Sequence, residues 1–175
     1  MNDLRELKLP AKLALYICFL TGILWLGSYV ARLTLIYQLF QGNDFTLKSV
    51  FNNQNLPGVF ITLNSAAILT AILYTIFIVT FVIFLISSHI NLKENGWLLV
   101  ATIIINLTIP FEVILMRNDY RIFSLIQSGN IDPNQILVYT VDRFKILGSF
   151  PIIEVLCYFS IIYLILFKPL KLVKK

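Results

Sequence analysis

Four polar residues stand in or at the edge of otherwise apolar runs: Arg32, Asn64, Glu112 and Glu154. A carboxyl group in hydrocarbon is costly, so it faces a cavity, a counter-charge or a water path rather than lipid. Two such acids with one arginine have several chemistries open to them. They could relay protons, hold an ion, line a small-molecule pocket, or act as an acid and base on a lipid-like substrate. The opposing reading needs no chemistry at all, because Arg32 can neutralise one of the two glutamates and lock the helices together.

Depth arithmetic brings the four residues together. Glu112 lies four residues from Met116, taken as the outer end of its span, and Glu154 about eight from the outer start of the next. At 1.5 Å per residue these are depths of roughly 6 and 12 Å. Arg32 tops the polar face of the first span near the same outer level and Asn64 enters the second at a similar depth, so each of four helices offers one polar group to the outer half of a bundle. Pro110 and Pro151 precede the two acids, and each is expected to kink its helix and free a backbone carbonyl. The pair IPFEVILM and FPIIEVLC echoes an internal repeat of the kind found in transporters, but so short a match is cheap in a chain rich in Ile and Leu.

The elements that must hold these residues are legible from hydropathy. The chain has 175 residues, 58% hydrophobic and only 13% charged, with a mean hydropathy of +0.84. Too few polar groups remain to cover a soluble globule of this size. Apolar runs of about 20 residues or more are the length of a spanning helix and far longer than a barrel strand. The expected fold is therefore all-α, an integral membrane bundle of four transmembrane helices forming one domain, with spans near 13–40, 59–88, 97–116 and 147–167.

Within the first span Cys18, Gly22, Trp25, Tyr29 and Arg32 recur at spacings of three and four and share one face. The helix is expected to run on to Gly42 as its C-cap. In the second, Asn64, Ala67, Ala71 and Tyr74 form a face of small and polar residues suited to close helix approach. Short amphipathic helices are expected in the first loop, at Thr46 to Phe51, and in the third. There Asp132-Pro133 reads as an N-cap with proline at the first helical position, and Ile136, Leu137, Thr140, Val141, Phe144 and Leu147 follow at helical spacing.

Lys168, Lys171, Lys174 and Lys175 form a basic tail placed to bind anionic lipid headgroups, each contributing roughly 1 kcal/mol near the surface. Together with the other basic flanks they bear on orientation. Arg5, Lys8, Lys12, Lys93 and the four tail lysines make eight basic residues on one side, while Arg32, Lys48, Arg117, Arg121, Arg143 and Lys145 make six on the other. The excess favours a cell-membrane protein with both termini cytoplasmic.

Several chemistries find no support. The net charge of +5 is spread over both ends and every loop, without the basic stripe that nucleic acid requires. Cys18 and Cys157 sit in separate apolar runs and read as small hydrophobes. With His89 as the single histidine, no zinc or haem site and no other cofactor is expected. His89 reads as a solvated interfacial residue. Asn106 reads as an interhelical hydrogen-bond donor, and the sequon it begins lies inside a span. With nearly all the chain spent on spanning, the leading functional expectation is a non-enzymatic subunit or accessory protein of a membrane complex. Its partners would be the bilayer and another membrane protein or a second copy. A transporter or channel subunit using Glu112 and Glu154, and an intramembrane enzyme, are the alternatives.

Overall fold

In a computed structural model, which describes residues 7–42, 45–129, 131–148 and 150–170, the protein is an all-α membrane bundle. Four of its helices are long and apolar enough to cross a membrane: α1 (Leu9–Tyr37), α2 (Leu56–Ser88), α3 (Gly96–Gln127) and α5 (Phe150–Phe167). A shorter helix, α4 (Pro133–Leu147), precedes α5. Hydrophobic side chains are exposed along all four long helices, among them Ile23, Ile72, Leu107 and Ile153. In lipid this is the expected polarity, since the solvent itself is apolar.

Three boundaries depart from the hydropathy pattern. The first span ends at Tyr37 rather than near Gly42, and the expected helix at Thr46 to Phe51 does not form. Instead β1 (Phe40–Gln41) pairs antiparallel with β2 (Thr46–Leu47), with Phe40 opposite Leu47 and Gln41 opposite Thr46. Gly42 does take a positive φ of 71°, but it turns a hairpin instead of capping a helix. The second difference is at α3, which does not stop at Met116. Arg117, Asn118 and Asp119 are polar but not helix breakers, and the helix continues until Gly129 adopts a φ of 74°.

The third difference is the approach to α5. Gly148, at φ 51°, ends α4 and donates its backbone N–H to the Phe144 carbonyl at 2.9 Å. Pro151 follows as the second residue of α5, where no intrahelical partner is lost. It starts a helix and does not kink one, so the expected kink there is corrected. Pro110 does lie within a continuous helix.

The chain divides into two compact units. The first comprises Met1–Leu26, Ile72–Ile109 and Ile152–Lys175, and the second Gly27–Ala71 and Pro110–Pro151. In the first unit, Leu7, Ala11 and Ala14 pack with Phe84, Trp97 and Leu98. Nearby, Trp25 is fully buried and its ring lies 4.6 Å from Tyr158, 5.0 Å from Tyr74 and 6.1 Å from Phe77. Gly96 opens α3 in the same unit and donates its N–H to the Leu170 carbonyl at 3.2 Å. A Cβ at Gly96 would sit 2.8 Å from the Leu170 Cβ and 2.9 Å from its carbonyl oxygen, so only glycine fits this approach.

In the second unit, Ile36, Leu39 and Phe40 pack with Leu56 and Phe60 of α2 and with Ile136 and Phe144 of α4. The hairpin contributes Phe45, stacked on Phe144 at 5.4 Å. Helix α4 begins as expected, with the Asp132 carboxylate accepting from the Asn134 N–H at 3.0 Å and Pro133 at the first turn. Asp132→Ala should cost about 1 kcal/mol, as loss of an N-cap does, and Asp132→Asn should restore most of it. Urea unfolding in detergent, followed by circular dichroism, would detect the difference; equal midpoints for Ala and wild type would mean the cap contributes nothing.

Candidate functional site

The polar centre of the second unit is built on Asp119, a residue the hydropathy pattern leaves in a loop. The continuation of α3 puts Asp119 seven residues beyond Glu112, two turns along the same face. Helix α1 ends its buried polar face with Arg32, and α4 supplies Arg143, three residues after Thr140. Arg32 donates from Nη1 to Asp119 Oδ2 at 2.8 Å and from Nη2 to Oδ1, a bidentate pair. Arg143 Nε lies 3.1 Å from the same Oδ1. That approach is an ion contact without hydrogen-bond alignment.

All three groups are withdrawn from solvent, with side-chain exposures of 6% for Arg32, 4% for Arg143 and 13% for Asp119. Two guanidinium groups thus share one carboxylate. Burial first, and the Arg32 charge second, push Arg143 below the ordinary arginine range, while Asp119, Tyr29 and Glu112 pull it back up. A guanidinium nevertheless stays charged at any physiological pH. The Glu112 carboxyl, buried on α3, is therefore placed to offset the excess positive charge whenever it is ionised.

The backbone around the knot is fastened by neutral bonds. Asn118 Nδ2 donates to the Tyr139 carbonyl at 2.8 Å, tying α3 to α4 one residue before Asp119. Thr70 Oγ1 lies 3.3 Å from Ser28 Oγ, joining α2 to α1. Arg32, Asn64, Asp119, Thr140 and Arg143 line a cavity of about 20 Å³. That volume holds roughly one water molecule. It is too small for a substrate or a hydrated ion.

Of the four polar residues singled out by sequence, the structure brings Arg32 and Asn64 to one cavity. Glu112 lies in the same unit and acts on Arg143. Glu154 is fully buried in the other unit, four residues into α5 and hence closer to its helix start than the hydropathy boundary implied. The partner that the structure shows for Arg32 is Asp119, a carboxylate outside the four residues singled out by sequence. Asn106 is corrected: it is exposed and donates to the Thr102 carbonyl of its own helix at 2.8 Å. His89 is exposed at the end of α2, with a φ of 49°. Of the basic tail, Lys168 lies over the Trp97 ring at 5.9 Å, and Lys171, Lys174 and Lys175 fall outside the described residues.

Arg143 had a signal in the sequence that hydropathy alone does not use. It stands within the apolar stripe of α4, three residues from Thr140 and seven from Ile136. A charge on the buried stripe of an amphipathic helix implies a buried counter-charge. Comparison of the chain with protein-family models, with curated proteins and with solved structures gave no match.

Proposed function

We propose that the protein is a non-enzymatic subunit of a membrane complex, held rigid by the Arg32–Asp119–Arg143 knot and associating through its apolar helix faces with another membrane protein or a second copy. The observation that carries this reading is that the knot's charges are turned on each other, around a space of about 20 Å³. A centre of that kind fixes geometry and leaves no room for turnover. The protein is multi-pass, and in this reading it resides in the cell membrane with both termini in the cytoplasm, as the distribution of Lys and Arg favours.

Isolation from its native membrane in a mild non-ionic detergent should yield a stoichiometric assembly by native mass spectrometry. A lone protomer under those conditions would count against the subunit reading. Topology has its own check, in a Cys18→Ser, Cys157→Ser background carrying either Lys93→Cys or Asp132→Cys. An impermeant thiol reagent added outside whole cells should label position 132 and spare position 93, and the reverse pattern inverts the orientation.

A second reading is favoured by the burial of two acids within spanning helices, Glu112 at 3% exposure and Glu154 at 0%. It makes them carriers of a proton, ion or solute path. Reconstituted alone in liposomes, the protein would then support a flux that Glu112→Gln or Glu154→Gln abolishes. Absence of any flux from wild-type liposomes removes this reading.

A further inference from the structure

The first unit contains a second site, unrelated to the charged knot. A groove with a cavity of about 100 Å³ runs between α1, α2, α3 and α5, and its lining is apolar almost throughout. Along α3 it extends from Trp97 to Ile105, and along α1 from Leu15 to Leu26. At 1.5 Å per residue these stretches measure roughly 12 and 16 Å, close to half of a hydrocarbon core about 30 Å thick. The rim is exposed at Phe19, Ile23 and Ile162, whereas Cys18, Leu98 and Ala101 are buried.

The two ends of the groove differ. At one end Trp97 lines the groove, and its indole Nε1 is buried without a hydrogen-bond partner among the described residues. The Lys168 ammonium stands 5.9 Å over the same ring. Lys8 and Lys12, both exposed, flank Ala11, which packs in one cluster with Trp97. Glu94 is the acid nearest in sequence to this end, and it is already engaged in an interaction. The other end, at Ile105, Phe77 and Tyr158, carries no charged side chain in its lining.

We propose that this groove seats one acyl chain of an anionic membrane phospholipid, with the headgroup at Trp97 and Lys168. Each part of that ligand meets a matching feature. The chain takes the leaflet-deep apolar channel, the ester region meets the Trp97 ring at its end, and the phosphate charge faces the lysines. A partner helix, at about 10–12 Å across with its side chains, is too wide to enter a cavity of about 100 Å³. The inference rests on the protein being in a bilayer and does not depend on its being a subunit of a complex.

The test uses the full chain in non-ionic detergent, titrated with phosphatidylglycerol or phosphatidylcholine brominated in the acyl chains, with tryptophan fluorescence as the readout. Trp97 lines the groove and Trp25 is fully buried, so saturable quenching reports groove occupancy. Phosphatidylglycerol should reach half-quenching at a mole fraction about five-fold lower than phosphatidylcholine, the factor expected from one lysine near an anionic headgroup. Lys168→Gln should remove that preference. Cys18→Phe, which places a ring in the cavity, should abolish saturable quenching by either lipid. Should that variant lose its helical circular dichroism, Ile162→Phe on the exposed rim serves in its place. Equal quenching by the two lipids, quenching that a folded groove-filling variant leaves intact, or a tightly retained protein chain in place of lipid in native mass spectra would each overturn the proposal. Failure to co-isolate a partner protein would leave it standing.

Discussion

Replacing Asp119 with asparagine should destabilise the protein by about 3–5 kcal/mol, the cost of breaking a buried ion pair by removing one partner. The effect exceeds that of losing either arginine, because Asp119 is the carboxylate that Arg32 and Arg143 both touch. Its removal leaves two buried guanidiniums facing each other. Arg32→Leu alone leaves Arg143 still beside Asp119, so it should cost less. Adding Arg32→Leu to Asp119→Asn should recover part of the loss, by removing one of the stranded cations. Thermal unfolding in detergent for the two single variants and the double gives the coupling directly. A coupling under roughly 0.5 kcal/mol, the usual limit of additivity for independent sites, would show that the pair does not hold the helices together. The same result would remove the support for a structural knot and shift attention to the buried glutamates.

Trp25→Ala should cost a comparable amount, about 3–5 kcal/mol, as truncation of a large buried aromatic does. The side chain is fully buried and its ring meets three others, Tyr158, Tyr74 and Phe77, at centroid distances of 4.6, 5.0 and 6.1 Å. Helices α1, α2 and α5 therefore lose their common contact at once. Trp25→Phe keeps a ring in place and should recover most of the loss. The expected signature is a lowered thermal midpoint together with loss of near-ultraviolet dichroism while helical content persists. If Trp25→Ala unfolds at the wild-type midpoint, the aromatic cluster is incidental to the bundle.

The four spans were legible because a run of some 20 apolar residues has few other physical uses, and the inward faces followed from spacing. Cys18, Trp25, Tyr29 and Arg32 are indeed buried along α1, as are Asn64, Ala67 and Tyr74 along α2. The centre of the charged knot was not legible, for a reason visible at Arg117–Asp119. Hydropathy ends where polar residues begin, but a helix ends only where its backbone is broken, and the break here waits for Gly129. A polar stretch that reads as a separate extramembrane helical segment is thus a continuation of α3, and it carries the carboxylate that pairs with Arg32.

The hairpin at Phe40–Leu47 was hidden for a related reason. Thr46 and Leu47 fit a helix by spacing, but the positive φ values of Gly42 and Phe45 reverse the chain and leave the two short segments side by side. Hydrophobic period cannot register a turn. The depths assigned to Glu112 and Glu154 shift for the same reason, since they were measured from where hydropathy changes rather than from where the helices start and stop.

The contact between Gly96 and Leu170 has a consequence for the order in which the protein is completed during synthesis. The first N–H of α3 is satisfied by a carbonyl that is translated only after the whole of α5. At roughly 5–20 residues per second, α3 leaves the ribosome several seconds before its own beginning can be closed. The Asp119–Arg143 contact, by contrast, joins neighbouring helices and is available as soon as α4 emerges. Biogenesis therefore can fasten the late-α3 end of the protein well before the start of α3 is sealed.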